Sequence, residues 1–506
     1  MITLLSARHV LAFDGARHVL LTDGQVVMRD DEIIYVGTGY DGPVDERRDF
    51  GQSLIAPGLI DLDALTDIDH AIIDSWPTEE TAPGMQWSED YFHNRRSDVF
   101  SAAQRQAVRR FALAQLALHG VTTYMPIASE IHSSWAETSE ELEGMARTSI
   151  ELGLRGFLGP AYRSGINVTD GNGERVILFD EEEGLKGLAD AERFLDYVDS
   201  LDHPLLTGVL LPCRIETLSD DLMRRTADLG RERDVLVRLH CLQQPAEDGF
   251  VSELTGRTVL EQLIDTGLME TRLLIPHGVV IDGTDPAARA EGGPLDVLAR
   301  HGVSIIHCPL TSFHYAGMLK SFDSFAAAGI NMCLGTDSFP PDLIKGIDVG
   351  THLARIAEGR KDAGKVSAFF DAATLGGAKA LGREDLGRLC AGAQADIMVA
   401  SLADFRDGVV EDPLRTLILN GSARNVTDTY VAGRPVVVDG ALPGVDLEAL
   451  REEGQHLFEQ MVAAYGERDY KGRDSSELFP AVYPALTAGQ LTLDRLRWAG
   501  DLRTAR

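Results

Sequence analysis

Three histidines and an aspartate each close a short apolar run. Val-Leu-Val-Arg-Leu-His ends at His240, Leu-Leu-Ile-Pro-His at His277, Ile-Ile-His at His307, and Leu-Gly-Thr-Asp at Asp337. Imidazole and carboxylate side chains hold zinc, iron or manganese, and they carry protons near neutral pH. A catalytic metal takes three or four nitrogen or oxygen donors and keeps a position open for water. His240, His277 and Asp337 could supply three. The same groups could also perform metal-free acid–base chemistry. A single histidine at the end of a buried run is often only a satisfied core residue. Four polar residues closing four successive runs favour a functional site.

The elements that must position them follow from the pattern between residues 56 and 380. Short β-rich runs alternate there with helical stretches such as Ala102 to His119, stopped by Gly120, and Asp220 to Arg233, leading into the run at Val235. Alternation over this length predicts an α/β fold, a (β/α)8 barrel of the TIM type, whose active site lies at the C-terminal ends of the strands. Residues 1–55 and 381–440 read as strands and turns, with Gln25–Met28 and Glu32–Val36 forming a hairpin around Arg29-Asp30-Asp31. Each piece is too short for its own core, so together they are expected to build one flanking β-sandwich. Residues 441–506 are expected to form a helix and an extended arm. The helix, about 446–466, carries Leu447, Leu450, Leu457, Met461 and Val462, and the arm carries Phe479, Val482, Tyr483 and Leu486. Those side chains need cover from the barrel or from a second subunit, and a homodimer is the expectation.

Composition narrows the partners. A formal net charge of −32 repels phosphate backbones, so nucleic acid is not expected as a partner. No apolar run approaches the roughly 18 residues of a membrane span, and the N-terminal stretch reads as a strand rather than a signal peptide. Cys213, Cys241, Cys308, Cys333 and Cys390 are scattered, odd in number and without a CxxC. This usage fits reduced thiols in a cytoplasmic protein acting on a small molecule.

Several of these segments carry a further likeness. Pro57-Gly58-Leu59-Ile60-Asp61, Val121-Thr122-Thr123, the runs ending at His240 and His277, His307-Cys308-Pro309 and Leu334-Gly335-Thr336-Asp337-Ser338 occur in an order that resembles the metal-dependent amidohydrolase superfamily, in its deaminase and chlorohydrolase branch. Gly387-Arg388-Leu389, Ala393-Gln394-Ala395-Asp396-Ile397 and Val431-Ala432-Gly433-Arg434-Pro435-Val436 resemble the small β-domain that flanks those barrels. The resemblance covers about residues 1–440. It implies one divalent metal (zinc, iron or manganese), with Asp337 as both ligand and proton acceptor.

The chain departs from the family pattern at three places. The first-strand His-x-His is replaced by Asp63-Ala64-Leu65. Asp63 could serve as a fourth ligand beside His240, His277 and Asp337, whereas Leu65 offers no donor. Such an oxygen-richer set favours manganese or iron over zinc, and with the histidine pair lost the site could also hold no metal. The usual glutamate three residues after the fifth-strand histidine is Gln243, which can hydrogen-bond a ring nitrogen but cannot protonate it. Thr311-Ser312 stand where the family often has Ser-Asn. Gln243, His307, Thr311 and Ser312 are the expected substrate contacts. Trp87 is added from an aromatic loop with Trp76, Tyr91 and Phe92 that could stack on a flat ring or simply pack at the surface. His70 is a minor candidate for a relocated ligand.

The expected function is hydrolysis of a non-peptide carbon–nitrogen bond in a small cyclic or aromatic substrate, by water activated with Asp337 as base. The alternatives are metal-independent elimination, isomerisation or hydrolysis on the same barrel, and a non-catalytic binding protein.

Overall fold

The computed structural model describes residues 1–68, 79–127, 135–338 and 341–483. Eight parallel strands run in chain order: β1 (Leu59–Leu65), β2 (Val121–Ile127), β3 (Arg155–Leu158), β4 (Leu206–Gly208), β5 (Leu236–Arg238), β6 (Arg272–Pro276), β7 (Ser304–His307) and β8 (Asn331–Leu334). They form two four-stranded parallel sheets, β1 to β4 and β5 to β8. Single bridges join the sheets at both seams. Leu210 meets Val237 and Arg214 meets His240 between the continuations of β4 and β5, while Ala64 meets Asp337 between β1 and β8. The backbone N–H of Asp337 donates to Asp63 O at 2.7 Å across the second seam. The sheet therefore closes into the expected barrel.

Closure needs an apolar filling. One core cluster takes Ile60, Met125, Phe157, Val209, Leu236, Leu274, Ile306 and Cys333, one from each strand or its continuation, as a barrel interior requires. The helices cover the outside. Helix α1 (Ala102–Leu118) starts at a reciprocal capping box between Ser101 and Gln104 and stops before Gly120, whose φ of +79° allows the turn into β2.

Both ends of the chain share one further sheet. Strands Ile2–Phe13, His18–Arg29, Glu32–Gly37, Glu46–Asp49 and Ser53–Pro57 join Ile397–Ser401, Val426–Val431 and Arg434–Val437. The junction is the antiparallel pairing of Ser53–Pro57 with Ile397–Ser401. Leu5, Val10, Val26, Ile33, Ile55, Leu389, Ile397 and Val399 give it a core of its own. Arg155 on β3 fastens this sheet to the barrel. Its Nε and Nη2 reach the two carboxylate oxygens of Asp396 at 3.1 and 3.2 Å, and Nη1 donates to Pro204 O. Both partners are buried, and an unpaired buried charge costs several kcal/mol, so the pair fixes one docking geometry.

The C-terminal helix α2 (Leu447–Ala464) lies against α1. Leu457 and Met461 are buried with Ile68, Phe100, Val108, Tyr465 and Leu478. The helix's apolar stripe is thus covered by its own chain, which removes that reason for expecting a second subunit there. Leu486, His70 and Trp76 lie outside the described residues. Among the described residues no helix is long and apolar enough to cross a membrane.

Candidate active site

The residues singled out from the sequence gather at the C-terminal mouth of the barrel. Asp63 sits near the end of β1, within the register shift between Asp61 and Ala64 in its pairing with β2. His240 follows β5, His277 follows β6 directly, His307 is the last residue of β7, and Asp337 lies just beyond β8. His277 has φ +78° and Asp337 φ +53°, both left-handed and uncommon for residues with a side chain. Such strain is tolerated where surrounding structure over-determines it, and it clusters at functional sites.

Four of these residues converge. The Nε2 of His240 is 3.3 Å from Asp63 Oδ2, and the Nε2 of His277 is 3.5 Å from Asp337 Oδ2. The His240 and His277 rings are 5.5 Å apart, centre to centre. One ligand atom from each of Asp63, His240 and His277 lies within 4.8 Å of the others, and the same holds for His277, Cys308 and Asp337. An ion held at about 2.0–2.2 Å needs donors this close. His277 is buried, yet neither ring nitrogen has a hydrogen-bond partner among the described residues. A buried imidazole with both nitrogens unbonded is expensive, and a cation at the convergence point satisfies it. His277 is thus shared by two triads of potential ligands, one with Asp63 and His240 and one with Cys308 and Asp337, and each is close enough to hold a divalent metal.

The two carboxylates are pushed in opposite directions. Burial raises the Asp337 carboxyl above the usual carboxylate range, and the negative charge of Asp63 adds to the rise. Burial pushes Asp63 upward too, but the neighbouring His240 and Arg238 outweigh it and hold that carboxyl below its usual range. Burial, followed by the nearby His240, keeps His277 well below an ordinary imidazole, so it offers a lone pair rather than a charge. Carboxylates separated in this way divide the labour between a fixed anion and a proton carrier.

Sequence reading missed the positive side of the site. Arg238, two residues before His240 on the same inward face of β5, is buried, with Nη1 3.2 Å from Asp63 Oδ1. A charged residue inside Val-Leu-Val-Arg-Leu-His was the available signal. Arg214, bridged to His240 at the β4–β5 seam, donates from Nη1 to Gln243 Oε1. The Gln243 carbonyl is thereby engaged, which leaves its N–H groups for a partner. Glu247 is buried and accepts from the backbone N–H of Gln243 and Gln244, and burial with Glu216 nearby raises it to about 7.

The remaining candidates are placed less simply. The His307 ring packs 6.2 Å from Phe322 and 6.0 Å from Phe369, and burial lowers it to about 3, so it stays neutral. The Thr311 hydroxyl donates to Thr336 O at 3.3 Å, whereas Ser312 Oγ is buried without a hydrogen-bond partner among the described residues. Trp87 differs from the expectation of a ring-stacking platform. The Arg468 guanidinium sits 3.1 Å from its ring centre, and Tyr91 and Phe92 pack against it at 5.1 and 6.0 Å. An indole that is 6% exposed and already carries a cation on its face has little left to offer a substrate.

Residues 56–436 match the model of the amidohydrolase family. The chain belongs to that family. This amidohydrolase is 26% identical over 448 residues to the 5-methylthioadenosine/S-adenosylhomocysteine deaminase of Pyrococcus horikoshii, covering 87% of this chain and 96% of that protein. It is 25% identical over 443 residues to the 8-oxoguanine deaminase of Pseudomonas aeruginosa, covering 86% and 93%. Among solved structures, an adenosine deaminase from Xanthomonas campestris with bound zinc superposes with a TM-score of 0.76 at 21% identity, covering 91% of this chain and 98% of that one. The atrazine chlorohydrolase of Arthrobacter aurescens, also complexed with zinc, gives 0.75 at 21%, covering 90% and 99%. The amidohydrolase is a hydrolase, and its barrel carries a group of residues able to hold a metal.

Proposed function

We propose that this amidohydrolase is a metal-dependent aminohydrolase that replaces an amino group on an sp² ring carbon of a small heterocycle with oxygen. The observation that carries the reading is the pair of triads sharing His277, Asp63–His240–His277 and His277–Cys308–Asp337, with the two carboxylates driven apart in acidity. The deaminase relatives support an amine as the leaving group. A divalent metal held among these residues would supply Lewis acidity toward the attacking water. Zinc in the two solved relatives makes zinc one candidate. A carboxylate in place of a first-strand imidazole favours manganese or iron.

The chain's own residues account for the rest. Asp337 accepts a proton from the attacking water as the carbon–oxygen bond forms. It then returns that proton to the leaving nitrogen as the carbon–nitrogen bond breaks, so the charges and atoms balance. A carboxyl held above its usual range by burial suits both halves of this exchange. Gln243, its carbonyl held by Arg214, donates an amide N–H to a ring nitrogen without protonating it. Such an amide selects rings that are activated enough to be attacked without full protonation.

A panel of amino-substituted purines, pteridines and triazines, with amides and chloro-substituted rings as comparisons, tests the reading. The metal-reconstituted enzyme is expected to release ammonia from at least one amino-substituted ring, with the amine-to-oxygen mass change in the product. Turnover confined to amides or chlorinated rings contradicts it.

A further inference from the structure

Arg238 lies beneath the convergence point and takes no part in the scheme above. It is 3% exposed, and its guanidinium is fixed from several sides. Nη2 donates to Pro126 O at 2.7 Å, and Nη1 to Leu62 O at 3.3 Å and Met125 O at 3.4 Å. The same Nη1 forms the ion pair with Asp63 Oδ1, while Asp63 Oδ2 faces His240. Three carbonyls from β1 and β2 thus hold a permanent positive charge against the carboxylate that replaces the first-strand imidazole. Arginine stays charged and its planar fork resists displacement.

We propose that Arg238, through its built-in charge beside Asp63, makes the site hold a divalent metal loosely and exchangeably. This rests on the metal-dependent reading above. Asp63 Oδ1 meets the guanidinium in an ion pair, while Oδ2 accepts from Cys308 Sγ at 3.6 Å and faces His240. A dication entering the site also meets a fixed cation on the far side of its own ligand, at close range and out of contact with water, where charge repulsion is screened little. Leu65 adds no donor to compensate. Activity in this protein should therefore follow the supply of metal, where a tighter site would stay loaded.

Metal-stripped wild type, Arg238→Met, Arg238→Gln and Arg238→Lys would be compared for zinc and manganese affinity, by competition with a chromophoric chelator at one mildly alkaline pH. Thermal melts would report the fold. Arg238→Gln keeps an amide that can donate to the carbonyls, so it serves if Arg238→Met does not fold. The neutral variants are expected to bind metal at least about tenfold more tightly than wild type, since a close repelling charge is gone. Arg238→Lys, which keeps the charge, is expected to stay within about threefold of wild type. Damage to packing works in the opposite direction, because a loosened site binds metal more weakly. Neutral variants that bind metal no better than wild type, or a lysine variant as tight as the neutral ones, overturn the proposal. No metal bound by any of the proteins, wild type included, fells the metal-dependent reading and this inference with it.

Discussion

Asp337→Asn should fold normally and lose turnover by about a thousandfold or more, at the upper part of the range for removing a group that both takes and gives a proton. The substitution is nearly isosteric. Asp337 sits at φ +53°, a conformation that asparagine accepts as readily as aspartate. Its backbone N–H, which closes the barrel against Asp63 O, is untouched. The side-chain oxygen that accepts from the Ser338 N–H at 2.7 Å can be kept by the amide. What is lost is the carboxylate's capacity to hold a proton between attack and departure. Steady-state kinetics on the best substrate, with a thermal melt as control, check this. Turnover within tenfold of wild type would remove Asp337 from the chemistry.

His277→Asn is expected to abolish metal binding and activity while leaving the melting temperature level or higher. The histidine pays for its left-handed backbone at φ +78°, followed by Gly278 at φ +68°, with strain of about 1–2 kcal/mol. Asparagine tolerates that conformation better, so a stability gain is possible where a merely structural histidine would give a loss. The imidazole leaves two buried nitrogens without a hydrogen bond among the described residues, and a bound metal would relieve one of them. Metal content and melting temperature, measured on the same preparation, separate the outcomes. A destabilised variant that keeps its metal would assign His277 to the core.

The barrel was legible in the sequence because its strands are continuous apolar runs separated by helices, and because His240, His277, His307 and Asp337 punctuate four of those runs. The helix at 102–118 was legible for the same reason, since period and turn chemistry are local. The electrostatic content of the site was not. Arg238 reads as an anomaly in a strand, and only three-dimensional closure brings it to Asp63, 175 positions away in the chain. Trp87 read equally as a ring-stacking residue or a packed one, because aromatic composition does not say what covers a ring. Its partner Arg468 comes from the far end of the chain. The apolar stripe of 447–464 was visible as a stripe, but whether the same chain or a neighbour covers it depends on docking, which no periodicity reports.

Metal content of the protein tests the account most directly. Enzyme purified without added metal would be stripped and then brought to equilibrium by dialysis against rising concentrations of zinc, manganese or iron in turn. Elemental analysis would then be set beside turnover. The account predicts activity that rises in proportion to bound metal, reaches its maximum near one ion per chain, and vanishes with a chelator. Full activity in chelator-treated protein with no transition metal bound would contradict it, and would hand the chemistry to Asp337 and the histidines alone.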